Sequence, residues 1–297
     1  MHTCEQHTKG EPLPSRITDF LRPPHGLEVD FTRPAGAPAL TPAFGISWEI
    51  FSNPVSLFIG GVASVLLELA EPSVRTGVWE HSSFQRDPLM RLRRTGFAAM
   101  ITVYAPREAA ETMIAHVVRM HDKVRGTTPD GKPYFANDER LLNWVQATAS
   151  YGFCEAYSQY VRPLSIAEKD AVFAEGQIAA RCYGALEAPT SWAAWQSQLA
   201  AMAPALEDSA ILSEFLSIME SAPIFPASLS WLQKMLVSAA VEMTPLPVRN
   251  FAPLQARHLT SWQKYLIRTA GRTCRYLQLP QLPASQARQR MRRHSGI

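Results

Sequence analysis

From Trp48 onward the chain shows almost no alternation of apolar and polar residues and instead repeats one punctuation: a capping residue, a proline, then apolar side chains three and four apart. Proline at the first helical position sacrifices an N–H that no helix could use, and it arrives with φ already helical. Asn53-Pro54, Asp87-Pro88 and Pro106 each read as such a start. The first of these helices ends near Glu71-Pro72, and a short one through Val74 and Trp79 leads to Asp87. The helix opened by Pro106 runs to about Arg125 and stops at Gly126.

The same reading continues downstream. TTPDGKPY is a turn built on Pro129-Asp130-Gly131, and Asn137 then caps a long helix through Leu141, Leu142, Val145 and Ala149 that ends before Pro163. Ser165 with Glu168 forms a capping box for a helix ending at Gly184. Further helices are expected over 191–202, 207–220, 228–243 and 260–277. About nine helices without repeat or heptad predict an all-α, single irregular multi-helix domain rather than a symmetric bundle. Residues 1–42, with seven prolines and few large apolar side chains, read as an extended arm that the core does not need. The domain proper is expected over 43–279, and 280–297 reads as a basic, solvated tail.

Composition narrows the function. A formal charge of +3, drawn largely from Arg288, Arg290, Arg292 and Arg293, gives no nucleic-acid footprint. Cys4, Cys154, Cys182 and Cys274 are dispersed, with no C-x-x-C pair and no C-x-x-C-H for covalent haem attachment. With no leader pattern visible, reduced thiols in a cytoplasmic setting are the expectation. The longest apolar run, Pro54 to Leu67, falls short of the roughly 20 residues a membrane span needs and reads as a buried helix. Phosphate-binding glycine loops, G-x-S-x-G and H-E-x-x-H are all missing, and no glutamate stands three residues before a histidine as a di-iron bundle requires.

What remains lies between Asp87 and Thr148. Ile114, Val117, Val118, His121 and Val124 fall on one helical stripe, so His121 stands where an aliphatic core residue is expected, while His116 points elsewhere. An imidazole there is either a core histidine satisfied by a neighbour or a neutral ligand for a metal or haem iron. One helix earlier, Arg91, Arg94 and Thr95 share a face from which Arg93 is excluded; it is either a solvated face or a cationic wall beside a pocket.

The ordered series ELAEPSVRTGVWEHS, RLRRT, HVVRMHDKVRGTTPDGKPYFANDERLLNWVQAT and RPLSIAEKD resembles the oxygenases typified by rubber oxygenase (latex clearing protein) and the fungal membrane-bound oxygenase of the mycophenolic acid pathway. The likeness spans roughly Trp48 to Ala203, with a trace at Pro247-Val248-Arg249. It implies an all-α, globin-like core holding haem b, and oxidation or cleavage of a hydrophobic alkene or isoprenoid-like substrate by dioxygen. His121 of M-H-x-x-V-R-G would be the axial iron ligand, with Arg125 of the same motif at the cofactor and Arg91, Arg94 and Thr95 as catalytic residues on the distal side. A non-catalytic haem or hydrophobic-ligand binding protein is the alternative. Two positions depart from the family. Arg94 replaces a lysine, and a guanidinium that stays protonated is a poor iron ligand. Gln146 stands where many relatives carry histidine, and glutamine cannot shuttle a proton near neutral pH.

Overall fold

The computed structural model describes residues 23–276 and 279–295, so Cys4 and the first half of the arm, Pro12 and Pro14 included, lie outside the described residues. The fold is all-α, as the punctuation predicts. After α1 (Ile46–Ile50) come α2 (Pro54–Ala70), α3 (Pro72–His81), α4 (Pro88–Tyr104) and α5 (Arg107–His121). A hairpin of β1 (Arg125–Thr127) and β2 (Pro133–Phe135) leads into α6 (Glu139–Tyr160), α7 (Ile166–Glu175), α8 (Gln177–Tyr183), α9 (Trp192–Met202) and α10 (Ala210–Ser221). Then follow α11 (Ser230–Met243), two short helices α12 (Leu246–Arg249) and α13 (Ala252–Gln255), α14 (Ser261–Cys274) and α15 (Pro283–Ser295).

The capping chemistry works as read. The Asn53 carboxamide accepts from the Val55 and Ser56 N–H groups at the start of α2, Asp87 accepts from Met90 N–H, and Ser165 with Glu168 closes a complete capping box. Glu71 both ends α2 and caps α3, its buried carboxylate also taking a 2.9 Å bond from Arg140. Three boundaries differ from expectation, the first being the helix expected to run from Ser165 to Gly184, which breaks at Gly176 into α7 and α8. The helix opened by Pro106 stops at His121, because residues 125–127 pair with 133–135 in a hairpin too short for alternation to reveal. Asp138, not Asn137, caps α6, accepting from Leu141 N–H.

Two large apolar clusters, with two smaller ones beside them, hold the described residues together. The larger surrounds α2, which lies against α6 and α11 and buries Ile59, Val62, Ala63, Leu66 and Leu67. The crossing of α2 and α6 is closer than ordinary side chains permit. A Cβ on Gly60 would stand 2.8 Å from the Gly152 carbonyl oxygen, and one on Gly152 would stand 2.6 Å from the Gly60 oxygen. Among the described residues no single helix is long and apolar enough to cross a membrane. Only α2 and α3 together pass by length and composition, and they are bent by 109°.

The second cluster joins α4, α5, α8 and α15 to the arm, and here two expectations are corrected. Phe31, Ala39 and Leu40 of the arm are buried with Trp48, Phe97, Ile101 and Tyr104, so the described part of the arm belongs to the core. The Arg-rich end is a helix, not a solvated tail: Ala284 and Ala287 are buried, and Arg290 is wholly so. Its guanidinium donates to the carbonyl oxygens of Ala37 (2.9 Å), Phe31 (2.8 Å) and Tyr104 (2.8 Å). A buried cation is tolerable only when its donors are spent this way. Cys154, Cys182 and Cys274 are free thiols.

Candidate functional site

The helices α4 and α5 fold back on each other around Ala105-Pro106, which brings the start of α4 beside the end of α5. His121, the last residue of α5, is partly buried, and its Nδ1 is enclosed by protein without a hydrogen-bond partner. Burial lowers its pKa, as does the facing Arg91 guanidinium, while Asn137 and Asp122 act in the opposite sense. Asn137 is held at the helix end by its amide nitrogen, which donates to Val118 O (3.0 Å) and Asp122 Oδ1 (2.8 Å). Its own Oδ1 is also buried without a partner. Because Asp138 takes the capping duty on α6, Asn137 is free to serve the carbonyl end of α5. His116, by contrast, is exposed, in a shallow surface depression with Arg119, Met120 and Lys123.

Arg91 turns inward toward Glu68 of α2, a residue that sequence reasoning left unassigned. Burial pushes the Glu68 carboxyl up to about 7, against the opposing pull of Arg91 and of the Thr148 hydroxyl on α6. Burial lowers the Arg91 pKa, and Glu68 works against that shift. Glu68, Arg91, Thr148 and His121 thus bring four helices, from both apolar clusters, to one polar spot. The available signal was a lone carboxylate inside the apolar run LLELA, flanked by the buried Leu66, Leu67, Leu69 and Ala70.

The other expected site residues are placed differently. Arg94 and Thr95 are exposed, Arg94 donating to His25 O (3.4 Å) and the Thr95 hydroxyl to Arg91 O (2.9 Å). A Cβ on the next residue, Gly96, would meet nothing within 4 Å, so this face of α4 is open. Arg125 is exposed on β1, bonded to Asp122 O (2.9 Å) with its guanidinium 5.4 Å from the centre of the Phe135 ring. Gln146 packs against Gly176 at the end of α7, about 200° round α6 from Thr148, so the missing histidine takes nothing from the polar cluster. Trp144 is a core residue whose Nε1 donates to Leu67 O. Tyr134 is buried, and its hydroxyl meets His81 Nε2 (3.1 Å) and Glu80 (3.4 Å), so these three residues fasten the hairpin to α3.

A family model for the catalytic domain of ER-bound oxygenase mpaB/B' and rubber oxygenase matches residues 48–287. No curated protein and no solved structure is significantly similar to the chain. The match runs from within α1 into the first turn of α15 and includes every residue of the polar cluster, so the chain is an oxygenase, an oxidoreductase, belonging to the mpaB/B'/rubber oxygenase catalytic-domain family.

Proposed function

We propose that this oxygenase works with haem b and dioxygen on a small hydrophobic, alkene-bearing substrate, with His121 as the axial iron ligand. The observation that supports this most is the buried, partnerless Nδ1 of His121 beside an equally partnerless Asn137 Oδ1. An axial histidine needs one ring nitrogen held by a neighbour while the other faces the metal. Asn137 can accept the Nδ1–H and leave the Nε2 lone pair for iron. The lowered His121 pKa keeps the imidazole neutral at neutral pH, the form that ligates metals. A porphyrin brings four nitrogens of its own, so one protein ligand suffices. Among the described residues no three His, Cys, Asp or Glu side chains converge as a protein-built cage would need.

When bound, the haem supplies the redox chemistry of oxygen activation. The chain supplies the surroundings. Arg91 sets a cation beside His121, and Arg94 and Thr95 offer a second cation and a hydroxyl on the open face of α4, suited to the cofactor's carboxylates. Glu68, with a pKa of about 7, can take up or release a proton at its carboxyl oxygen near neutral pH. Arg125 acts at a distance in this scheme, fixing the hairpin that delivers Asn137.

The absorbance spectrum of the purified, haem-supplemented protein tests the reading. Wild type should carry about one equivalent of non-covalent haem, as a single-site b-type protein does. His121→Ala should lose it and His116→Ala keep it, whereas haem retained by His121→Ala would overturn the assignment. Oxygen uptake by the loaded protein with an isoprenoid alkene tests the substrate class, and absence of uptake rejects it.

A further inference from the structure

The last 55 residues, 243–297, hold ten lysines and arginines and not one aspartate or glutamate, leaving residues 1–242 with a net charge of −7. Within this basic segment lies α14, whose polarity is inverted relative to a core helix. Ile267 and Gly271 face the body; Gly271 lies so close to the end of α6 that a Cβ there would clash with the Tyr160 carbonyl, and its own carbonyl accepts from the Asn53 amide at the start of α2 (2.8 Å). The opposite face carries Trp262 (57 % exposed), Tyr265 (69 %) and Leu266, at spacings of three and four, followed by Thr269 and Arg272. Tyr276, in the turn beyond the helix, is 80 % exposed.

The helix is firmly seated. Thr260 and Gln263 form a capping box, Lys264 pairs with Glu242, and Arg275 pairs with Glu49 (3.0 Å). Arg268 reaches the Gln159 carbonyl (3.1 Å), and neither it nor Arg272 meets a carboxylate among the described residues. A rigid helix therefore presents large aromatic rings to solvent beside two cations that meet no carboxylate among the described residues. Aromatic rings with a polar edge favour the headgroup level of a bilayer, and arginines beside them favour anionic lipids.

We propose that the outer face of α14, with Tyr276, docks the protein peripherally on an anionic phospholipid bilayer, the helix lying in the plane of the headgroups. Arg268 and Arg272 supply the attraction to the anionic headgroups. Docking does not depend on the proposed haem chemistry, and it would place an enzyme for hydrophobic molecules where such molecules collect.

The test is co-sedimentation of the full-length protein with vesicles of phosphatidylcholine alone or with about a quarter phosphatidylserine, at low and high salt. Wild type should partition at least about tenfold more strongly onto the anionic vesicles and lose that advantage in high salt. Trp262→Ala/Tyr265→Ala and Arg268→Gln/Arg272→Gln should each weaken binding about tenfold, with far-UV circular dichroism and melting unchanged. Equal partitioning on both vesicles, or either double variant binding as wild type does, overturns the proposal. So does a concentration-dependent dimer that Trp262→Ala abolishes, which would assign the face to a second copy of the chain.

Discussion

The two apolar clusters differ in how they are assembled. Around α2, packing is helix against helix, its tightest point a crossing at Gly60 and Gly152 that admits no side chain. Around α4 and α5, packing closes only when the arm and α15 arrive from opposite ends of the sequence and Arg290 ties them together. The first is secured by shape and the second by a buried cation. The polar cluster lies where the two meet, Glu68 and Thr148 coming from one side and Arg91 and His121 from the other. A site at such a seam can be altered from either side, and the two sides should fail differently.

Removing residues 1–40 breaks the contrast most severely. The sequence alone suggests that this truncation leaves helical content and cofactor binding intact, but it deletes Phe31 and Leu40 and two of the three carbonyls that hold Arg290. We expect a loss of about 5 kcal/mol or more, from the emptied core sites and the stranded charge. Urea unfolding should then split, with α4 and α5 melting first. A single transition at the wild-type midpoint would show that the second cluster stands without the arm.

Arg290→Met keeps the volume but leaves three buried carbonyl oxygens without donors, with an expected cost of about 3–5 kcal/mol. Hydrogen exchange should speed up in α4 and α5 and remain slow in α2 and α6; uniform acceleration would mean that the clusters unfold as one. Gly152→Ala attacks the other cluster by forcing a methyl group toward the Gly60 carbonyl and the Ser64 hydroxyl. It should cost about 2–3 kcal/mol and reverse that exchange pattern.

The smallest effect sharpens the seam itself. Glu68 has its pKa raised from 4.5 to about 7 in the folded protein, so between those values the native state binds more protons than the unfolded one. Stability therefore falls as pH rises from 4.5 to 7, by about 1–2 kcal/mol after discounting for the partial exposure of the group. Glu49, pulled down to about 2 chiefly by its hydrogen bonds from Arg162, does the opposite, its stabilisation being lost as pH drops below 4.5. Glu68→Gln should abolish only the neutral limb of the stability–pH curve and Arg162→Met only the acid limb. A neutral limb that persists in Glu68→Gln would place the titrating group elsewhere.

The sequence made the scaffold readable wherever a local rule sufficed. Asn53-Pro54, Glu71-Pro72, Asp87-Pro88 and Ser165 with Glu168 mark the helix starts because a cap and a proline act within a turn of themselves. The half-buried position of His121 was legible from its stripe, whereas Arg91 leaves the face expected for it with Arg94 and Thr95 and turns inward to Glu68. Three features were not, each because its meaning depends on distant partners. Arg290 looks like any solvated arginine until carbonyls far away in sequence surround it. Glu68 looks like a helix-end carboxylate until α4 and α6 enclose it. Asn137 looks like the cap that its neighbour Asp138 turns out to be, and only the three-residue hairpin reveals that it serves α5.

The Arg290 knot also sets a timetable. Its bond to the Phe31 carbonyl spans 259 positions, so synthesis must reach α15 before the cluster around α4 can close, whereas the α2–α6 crossing is complete once residue 160 has emerged. Loop closure over such a separation is slow relative to local helix pairing. A nascent chain should therefore pass through a stage in which α2 and α6 are packed while α4 and α5 still expose Phe97, Ile101 and Ile114. In that interval the seam between the two clusters is incomplete, and capture of the proposed cofactor would be one of the last events in the protein's maturation.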